Sequence, residues 1–190
     1  MKGIRAGCAM TGSFCTFSKA FEAWKDLKSA GAEILPVMSF NAYGTDTRFY
    51  KAEDARNIFE KIAGRKIIST IGEAEPFGPK KMADIMIVSP CTGNTLAKMA
   101  NGITDTAVCM AAKAHLRSDR PLVIALASND ALSANLKNIG TLLSRKCVYF
   151  TPMHQDDPLN KPHSLVADFS LVPQTLALAM EGKQPQKIFQ

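Results

Sequence analysis

The stretch from Ala83 to Ala107, ADIMIVSPCTGNTLAKMANGITDTA, constrains this chain more than any other. It opens with an unbroken apolar run, Ile85 to Val88. A short run that is apolar at every position is the pattern of a strand buried on both faces of a parallel sheet. It breaks at Ser89-Pro90 into a polar loop, Cys91-Thr92-Gly93-Asn94-Thr95. Leu96, Met99 and Ala100 then share one face of a helix, with Asn94 or Thr95 as its expected N-cap. A strand–loop–helix unit of this kind places its loop at the carboxyl edge of an open α/β sheet, where such folds bind ligands. The helix start behind the loop offers unpaired N–H groups and a positive dipole end to an anion.

The unit recurs along the chain. Gly3 to Ala9 predicts a first strand, and a small-residue loop follows. The spacing of Phe17, Ala20, Phe21, Trp24 and Leu27 predicts a helix that Gly31 ends. Glu33 to Met38 is a second strand with Ser39 at its end; Ser39 to Tyr50 is a loop and Lys51 to Ile62 a helix closed by Gly64. Lys66 to Ile71 is expected as a short strand, and Glu73 to Lys81 as loop or a helix start at Pro79. Asp105 to His115 is helical. Leu122 to Ala127 is the clearest central strand; the polar Ser128-Asn129-Asp130 follows it, then a helix over Ser133 to Ser144. Cys147 to Phe150 is a last short strand, and Thr151 to His163 an extended loop. Leu165 to Phe169 and Pro173 to Met180 are expected as helices, with Gly182 as terminator. The result is α/β: one doubly wound, three-layer domain over residues 1–190, with a mostly parallel sheet of about six strands.

Composition narrows the function classes. No apolar run approaches the roughly 20 residues needed to span a membrane, and the first residues lack a signal peptide's apolar core, so a cytoplasmic protein is expected. The five cysteines form no C-x-x-C pair, which argues against a zinc cage or a disulfide framework; only Cys91, in the central loop, is placed to touch a ligand. The net charge of +6 comes from dispersed Lys and Arg without a basic block. It fits an anionic small molecule better than a nucleic acid.

The candidate site residues lie on the loops of the carboxyl edge. Gly7 and Gly12 allow close backbone approach to a phosphate, and Thr11, Ser13 and Thr16 supply hydroxyls. No Lys-Ser/Thr pair follows Gly12, so this is not a Walker loop, and it is not G-x-G-x-x-G either. Asn94 and Thr95 combine a strand end, a preceding Gly93 and a helix start, and can bond a carboxylate or the edge of a planar ring. Asn129 holds the equivalent place after the next strand. His154, Asp156, Asp157 and His163 have the residue types of a metal site, but their Asp- and Pro-rich setting is that of a turn-forming loop, and no metal is expected. There is no G-x-S-x-G elbow.

Gly7-x4-Gly12-Ser13, Ser39 after the second strand and Pro90-Cys91-Thr92-Gly93-Asn94-Thr95 together resemble the flavin-binding decarboxylase-like flavoproteins. The last segment is similar to that family's P-A-S-A-N-T motif. The resemblance implies a Rossmann-like fold, FMN as cofactor and a homo-oligomer, trimeric or dodecameric. It places Gly12, Ser13 and Ser39 near the FMN phosphate or ribityl chain. Pro90, Thr92, Asn94 and Thr95 fall against the flavin ring or a substrate carboxylate, with Asn129 beside them and Asn94 as the residue most tied to turnover.

The segments Ala127–Leu132, Gln155–Pro158 and Lys161–Phe169 resemble one branch of the family in particular. That branch implies an oxidoreductase component of bacterial sporulation, acting with a second polypeptide that carries NADP. Its substrate is a small dicarboxylate that loses water and two electrons. The family's decarboxylases carry a histidine before the fourth strand, whereas Ile71 to Ile87 contains none, and of their P-x-M-N-x-x-M-W motif only Asn129 persists. A non-catalytic partner protein, or an FMN-dependent decarboxylase or prenyltransferase-like enzyme, are the other roles compatible with these residues.

Overall fold

The alternation of strands and helices closes into one sheet covered on both faces. The computed structural model describes residues 1–190. β1 (Arg5–Met10) leads through a 3-10 turn into α1 (Phe17–Ser29), and β2 (Glu33–Met38) into α2 (Phe40–Gly44), α3 (Ala52–Ala63) and α4 (Ile71–Ala74). β3 (Ile85–Cys91) feeds α5 (Gly93–Ala100) and α6 (Ala107–Leu116); β4 (Leu122–Ser128) feeds α7 (Leu136–Leu143). The chain closes with β5 (Val148–Phe150), the pair β6 (Met153–His154) and β7 (Leu165–Ala167), and α8 (Val172–Met180). The sheet has seven strands; β2, β1, β3, β4 and β5 pair in parallel, while β7 runs antiparallel to both β4 and β6.

Side-chain alternation along β3 shows why its sequence is apolar throughout. Ile85 and Ile87 join Phe17, Trp24, Phe59 and Leu176 in one core, and Trp24 stacks on Phe59 at 6.1 Å. Met86 and Val88 point the other way, to Leu96, Val108 and Ile139. With helices on both sides, neither face of the strand meets water, so no polar alternation survives.

Several segments depart from expectation, each for a local reason. Ile68 makes a single parallel bridge to Val37 instead of a strand, because Thr70 and Glu73 form a capping box that turns the chain into α4 three residues later. Glu73 to Lys81 accordingly holds the end of α4 and a 3-10 turn (Glu75–Phe77), not a helix starting at Pro79. The loop expected after Ser39 is interrupted by α2, whose N-cap is the Ser39 hydroxyl, accepting the Ala42 N–H at 3.3 Å. β3 runs on through Ser89-Pro90, a cis peptide, to Cys91, with its register on β4 shifted between Val88 and Cys91. The helix expected from Ser133 begins at Leu136, because the Ser133 and Asn135 N–H groups first turn back to the Asp130 carbonyl.

The largest correction lies at Leu165 to Phe169, which is the strand β7 and a 3-10 turn rather than a helix. β5 covers β4 only from Leu122 to Ile124, leaving the edge at Ala127 and Ser128 open. Val166 and Leu165 pair with those two residues, in antiparallel sense. An unpaired sheet edge outweighs the weak helical spacing of so short an apolar segment.

Candidate functional site

The carboxyl ends of β1, β2, β3 and β4 lie on one edge of the sheet, and the loops after β1 and β3 are tied together by side-chain hydroxyls. The buried Thr11 hydroxyl donates to the Pro90 carbonyl at 2.8 Å and accepts the Thr92 N–H at 2.9 Å. Thr92, not Asn94 or Thr95, is the N-cap of α5: its hydroxyl accepts the Thr95 N–H at 3.3 Å and donates to the Thr95 hydroxyl at 3.1 Å. The cap falls two residues before Asn94 and three before Thr95, because Gly93 is already helical. Gly93 and Asn94 consequently keep free N–H groups at the dipole's positive end.

Two cavities open on these loops. The first, about 550 Å³, is bounded by Gly12 and Ser13 of the β1 loop, Thr92 and Asn94 of the β3 loop, and Asn129 and Lys161 beyond β4. The second, about 370 Å³, holds Ser39, Asn41, Thr95 and Thr106. Gly12, Phe14, Thr92 and Asn94 line both, so the two form one bent groove. Its second arm carries hydroxyls and amides and no charged side chain. Its first arm contains Asp130, Asp156 and a single cation, Lys161.

Of the residues singled out in the sequence, Gly12, Ser13, Thr92, Asn94 and Asn129 line the first arm, and Ser39 and Thr95 the second. Asn94 is exposed, and its side chain makes no hydrogen bond within the chain. Pro90 stands apart: buried in β3, it lines neither arm and acts only through the carbonyl held by Thr11. Gly7 is a packing glycine rather than a phosphate contact, since a Cβ there would sit 2.8 Å from the Phe77 ring. Cys91 is buried, and burial holds its thiol well above the ordinary range. The thiol that lines the groove is Cys15, an exposed residue of the β1 loop.

Asp130 sits at the junction of β4 and α7. It accepts the Ser128 hydroxyl and, at 2.9 Å to each oxygen, the Asn135 amide; Asn135 in turn accepts from Asn138 at 2.8 Å. This network lies directly on Gly93. A Cβ at Gly93 would meet Ser128 Oγ at 2.5 Å, Asn135 Nδ2 at 2.6 Å and Asp130 Oδ1 at 2.7 Å. Gly93 is therefore required by close approach, and the contact seats the start of α5 against the β4 loop.

Sequence reasoning missed Asp156, Lys161, Ser164 and Val166 as groove residues. The β6–β7 pair delivers them, and with β7 misread as helical nothing pointed them at the site. Asp156 accepts from Lys161 at 2.9 Å, and that ammonium holds the Asp156 carboxyl below its usual range. Asp157 accepts from Asn160, and no group of three or more His, Cys, Asp or Glu side chains is arranged to hold a metal. No histidine lines the groove. His115 is wholly buried behind the sheet, its Nε2 donating to the Pro121 carbonyl at 3.0 Å, and burial lowers its pKa to about 4. No helix is long and apolar enough to cross a membrane.

Comparison with known proteins follows the same lines. Residues 1–167 match the family model described as Flavoprotein. The chain is 43% identical to the B subunit of dipicolinate synthase from Bacillus subtilis (strain 168) over 188 residues, 99% of this chain and 94% of that protein. The crystal structure of the corresponding dipicolinate synthase polypeptide from Bacillus halodurans superposes with a TM-score of 0.91 at 38% identity, covering 100% of this chain and 97% of that one. A dodecameric FMN-dependent UbiX-like decarboxylase from Escherichia coli O157:H7 is more distant, with a TM-score of 0.65 at 28% identity over 78% of this chain and 80% of that one. A near-full-length match of this kind, on the groove-bearing α/β scaffold derived above, places the chain in the flavoprotein family, in the branch formed by the B subunits of dipicolinate synthase.

Proposed function

We propose that this chain is the flavin-binding component of a dipicolinate synthase, acting with that enzyme's A subunit, which carries NADP. The observation that carries the reading is the bent groove, with one arm of neutral donors and another holding one cation. The groove's chemistry fits FMN. Ser39, Thr95 and Thr106, in an arm that no acidic side chain lines, suit the phosphate and ribityl hydroxyls, and Gly12 leaves room beside them: a Cβ there would meet nothing closer than 3.5 Å. Phe14, Ala127 and Val166 give the first arm apolar surface for a planar ring. FMN, when bound, supplies a two-electron acceptor.

The substrate of this reading is a hydroxy-tetrahydrodipicolinate, which loses one water and then two electrons with two protons to give dipicolinate for the bacterial spore. The dehydration leaves a dihydro ring, and aromatisation drives its oxidation. The groove's two carboxylates are engaged by Ser128, Asn135 and Lys161, and it contains no histidine. The chain's own part is thus to bind and orient: Asn94 presents a free amide to the reacting ring, Ser13 and Asn129 flank it, and the Gly93 and Asn94 N–H groups favour negative charge. An oligomer, trimer or dodecamer, agrees with the dodecameric relative and with Phe40 and Phe49, exposed on the groove's rim. The assembly is cytoplasmic in this reading.

An absorption spectrum of the purified protein, taken alone and then with the NADP-carrying component and substrate, tests the proposal. A flavin band that bleaches on turnover is expected. A colourless preparation that takes up no added FMN would sink the cofactor assignment. The absence of histidine from the groove favours one other reading, a substrate-binding partner without flavin chemistry; the NADP-carrying component by itself would then turn over as fast as the pair.

A further inference from the structure

The ten residues between β6 and β7, 155–164, form a shaped connection. The Lys161 N–H donates to the Asp157 carbonyl at 2.7 Å and the Ser164 N–H to the Lys161 carbonyl at 3.0 Å. The Gln155 amide donates to the Pro162 carbonyl at 2.9 Å, and the Leu132 N–H to the His163 carbonyl at 2.9 Å. The last bond fastens the connection to the loop that follows β4. Lys161 is therefore held by its backbone on the wall of the first arm, and it is the groove's only cation. Its ammonium rests on Asp156, in a pair whose side chains are 55% and 31% exposed. A pair so open to water contributes little stability, so the lysine is free to take a better anion without much loss.

We infer that Lys161 is a carboxylate-binding residue, and that the β6–β7 connection forms the subsite for one carboxylate of the dicarboxylate substrate. The inference rests on the substrate class proposed above. A dianion entering the first arm meets Asp130 and Asp156 there, and only one positive side chain offsets them. Neutral donors serve one carboxylate; the second requires a charge, and a charge-assisted hydrogen bond is about twice as strong as a neutral one. Ser164, 4% exposed beside Asp156, lines the same wall with a hydroxyl.

The test uses the FMN-loaded full-length protein and dipicolinate itself as probe, with binding followed by calorimetry. Wild type binds dipicolinate. Lys161→Ala loses about ten- to a hundredfold in affinity, the size expected for one hydrogen bond between charged groups. Lys161→Arg, which keeps the charge, recovers most of that loss. Affinity for FMN changes less than threefold in both variants, because the phosphate and ribityl chain lie in the second arm, which Lys161 does not line, and the ring rests on the apolar side chains of Phe14, Ala127 and Val166 rather than on the lysine. Apart from the exposed pair with Asp156, the loop bonds at residue 161 are made by backbone, so truncating the side chain leaves the connection anchored. Lys161→Ala binding dipicolinate as tightly as wild type overturns the subsite while leaving the cofactor and substrate reading intact. A wild-type protein that binds FMN but not dipicolinate overturns the substrate reading, and the subsite with it.

Discussion

Gly93→Ala is the most informative perturbation of this groove. The new methyl carbon would lie 2.5–2.7 Å from Ser128 Oγ, Asn135 Nδ2 and Asp130 Oδ1, all closer than such carbons stand in folded proteins. Two changes oppose each other. Alanine is the better helix former by up to ~1 kcal/mol, and the added methyl group overpacks a buried site at a cost of ~1–3 kcal/mol. Relief of the clash also requires Ser128 or Asn135 to leave Asp130, forfeiting a bond to a charged group of ~1.5–3 kcal/mol. The net effect is destabilisation by ~2–4 kcal/mol. For a chain of this length that lowers the melting temperature by about 5–15 °C. Thermal unfolding followed by circular dichroism, with the fully buried Trp24 as a fluorescence reporter, measures it. Ser128→Ala removes the nearest obstructing oxygen, so the double variant should be more stable than the sum of the singles by ~0.5–1 kcal/mol. A Gly93→Ala protein melting within about 2 °C of wild type, or strict additivity in the double variant, would refute the close-approach argument.

Other consequences can be checked alongside. Asn94→Ala removes an exposed side chain without partners, so stability should stay within ~0.5 kcal/mol while turnover falls about tenfold or more; unchanged turnover moves the reacting end of the groove elsewhere. His115 is neutral in the fold because burial brings its pKa to about 4, below the roughly 6.5 of an unfolded histidine. Its contribution is complete above about pH 6.5, and is lost as pH falls toward 4, because only the unfolded chain takes up the proton in that window. The loss is on the order of 3 kcal/mol, and denaturant titrations of His115→Gln across this range should show a flatter pH dependence than wild type. Of the five cysteines, only Cys15 and Cys147 have side chains open to solvent. A thiol reagent should label these two in the native protein, FMN or dipicolinate should protect Cys15 alone, and rapid labelling of Cys91 would contradict its burial.

The readable parts of the fold are those where burial alone dictates the pattern. Ile85 to Val88 and Leu122 to Ala127 announced themselves as strands because both faces of the central sheet are covered. α1 and α3 were legible from one-sided apolar spacing and the left-handed glycines Gly31 and Gly64 that end them. The errors fall where a short segment answers to a distant partner. The cap of α5 moved from Asn94 or Thr95 to Thr92, which Thr11 fixes across 81 residues of sequence. β7 was misread because two backbone groups at the end of β4, far away in sequence, needed a neighbour.

The sequence by itself determined a doubly wound α/β chain with its ligand loops on one edge, because the hydrophobic period and the small-residue loops are local properties. It also carried the wording of Cys91 to Thr95, on which the flavoprotein resemblance rests. Tertiary structure alone decided which cysteine faces the groove, why Gly93 admits no side chain, and that Lys161 is its single cation. Each of these is a contact between segments whose separation in sequence leaves no periodic trace, and only the closing of the sheet brings them together.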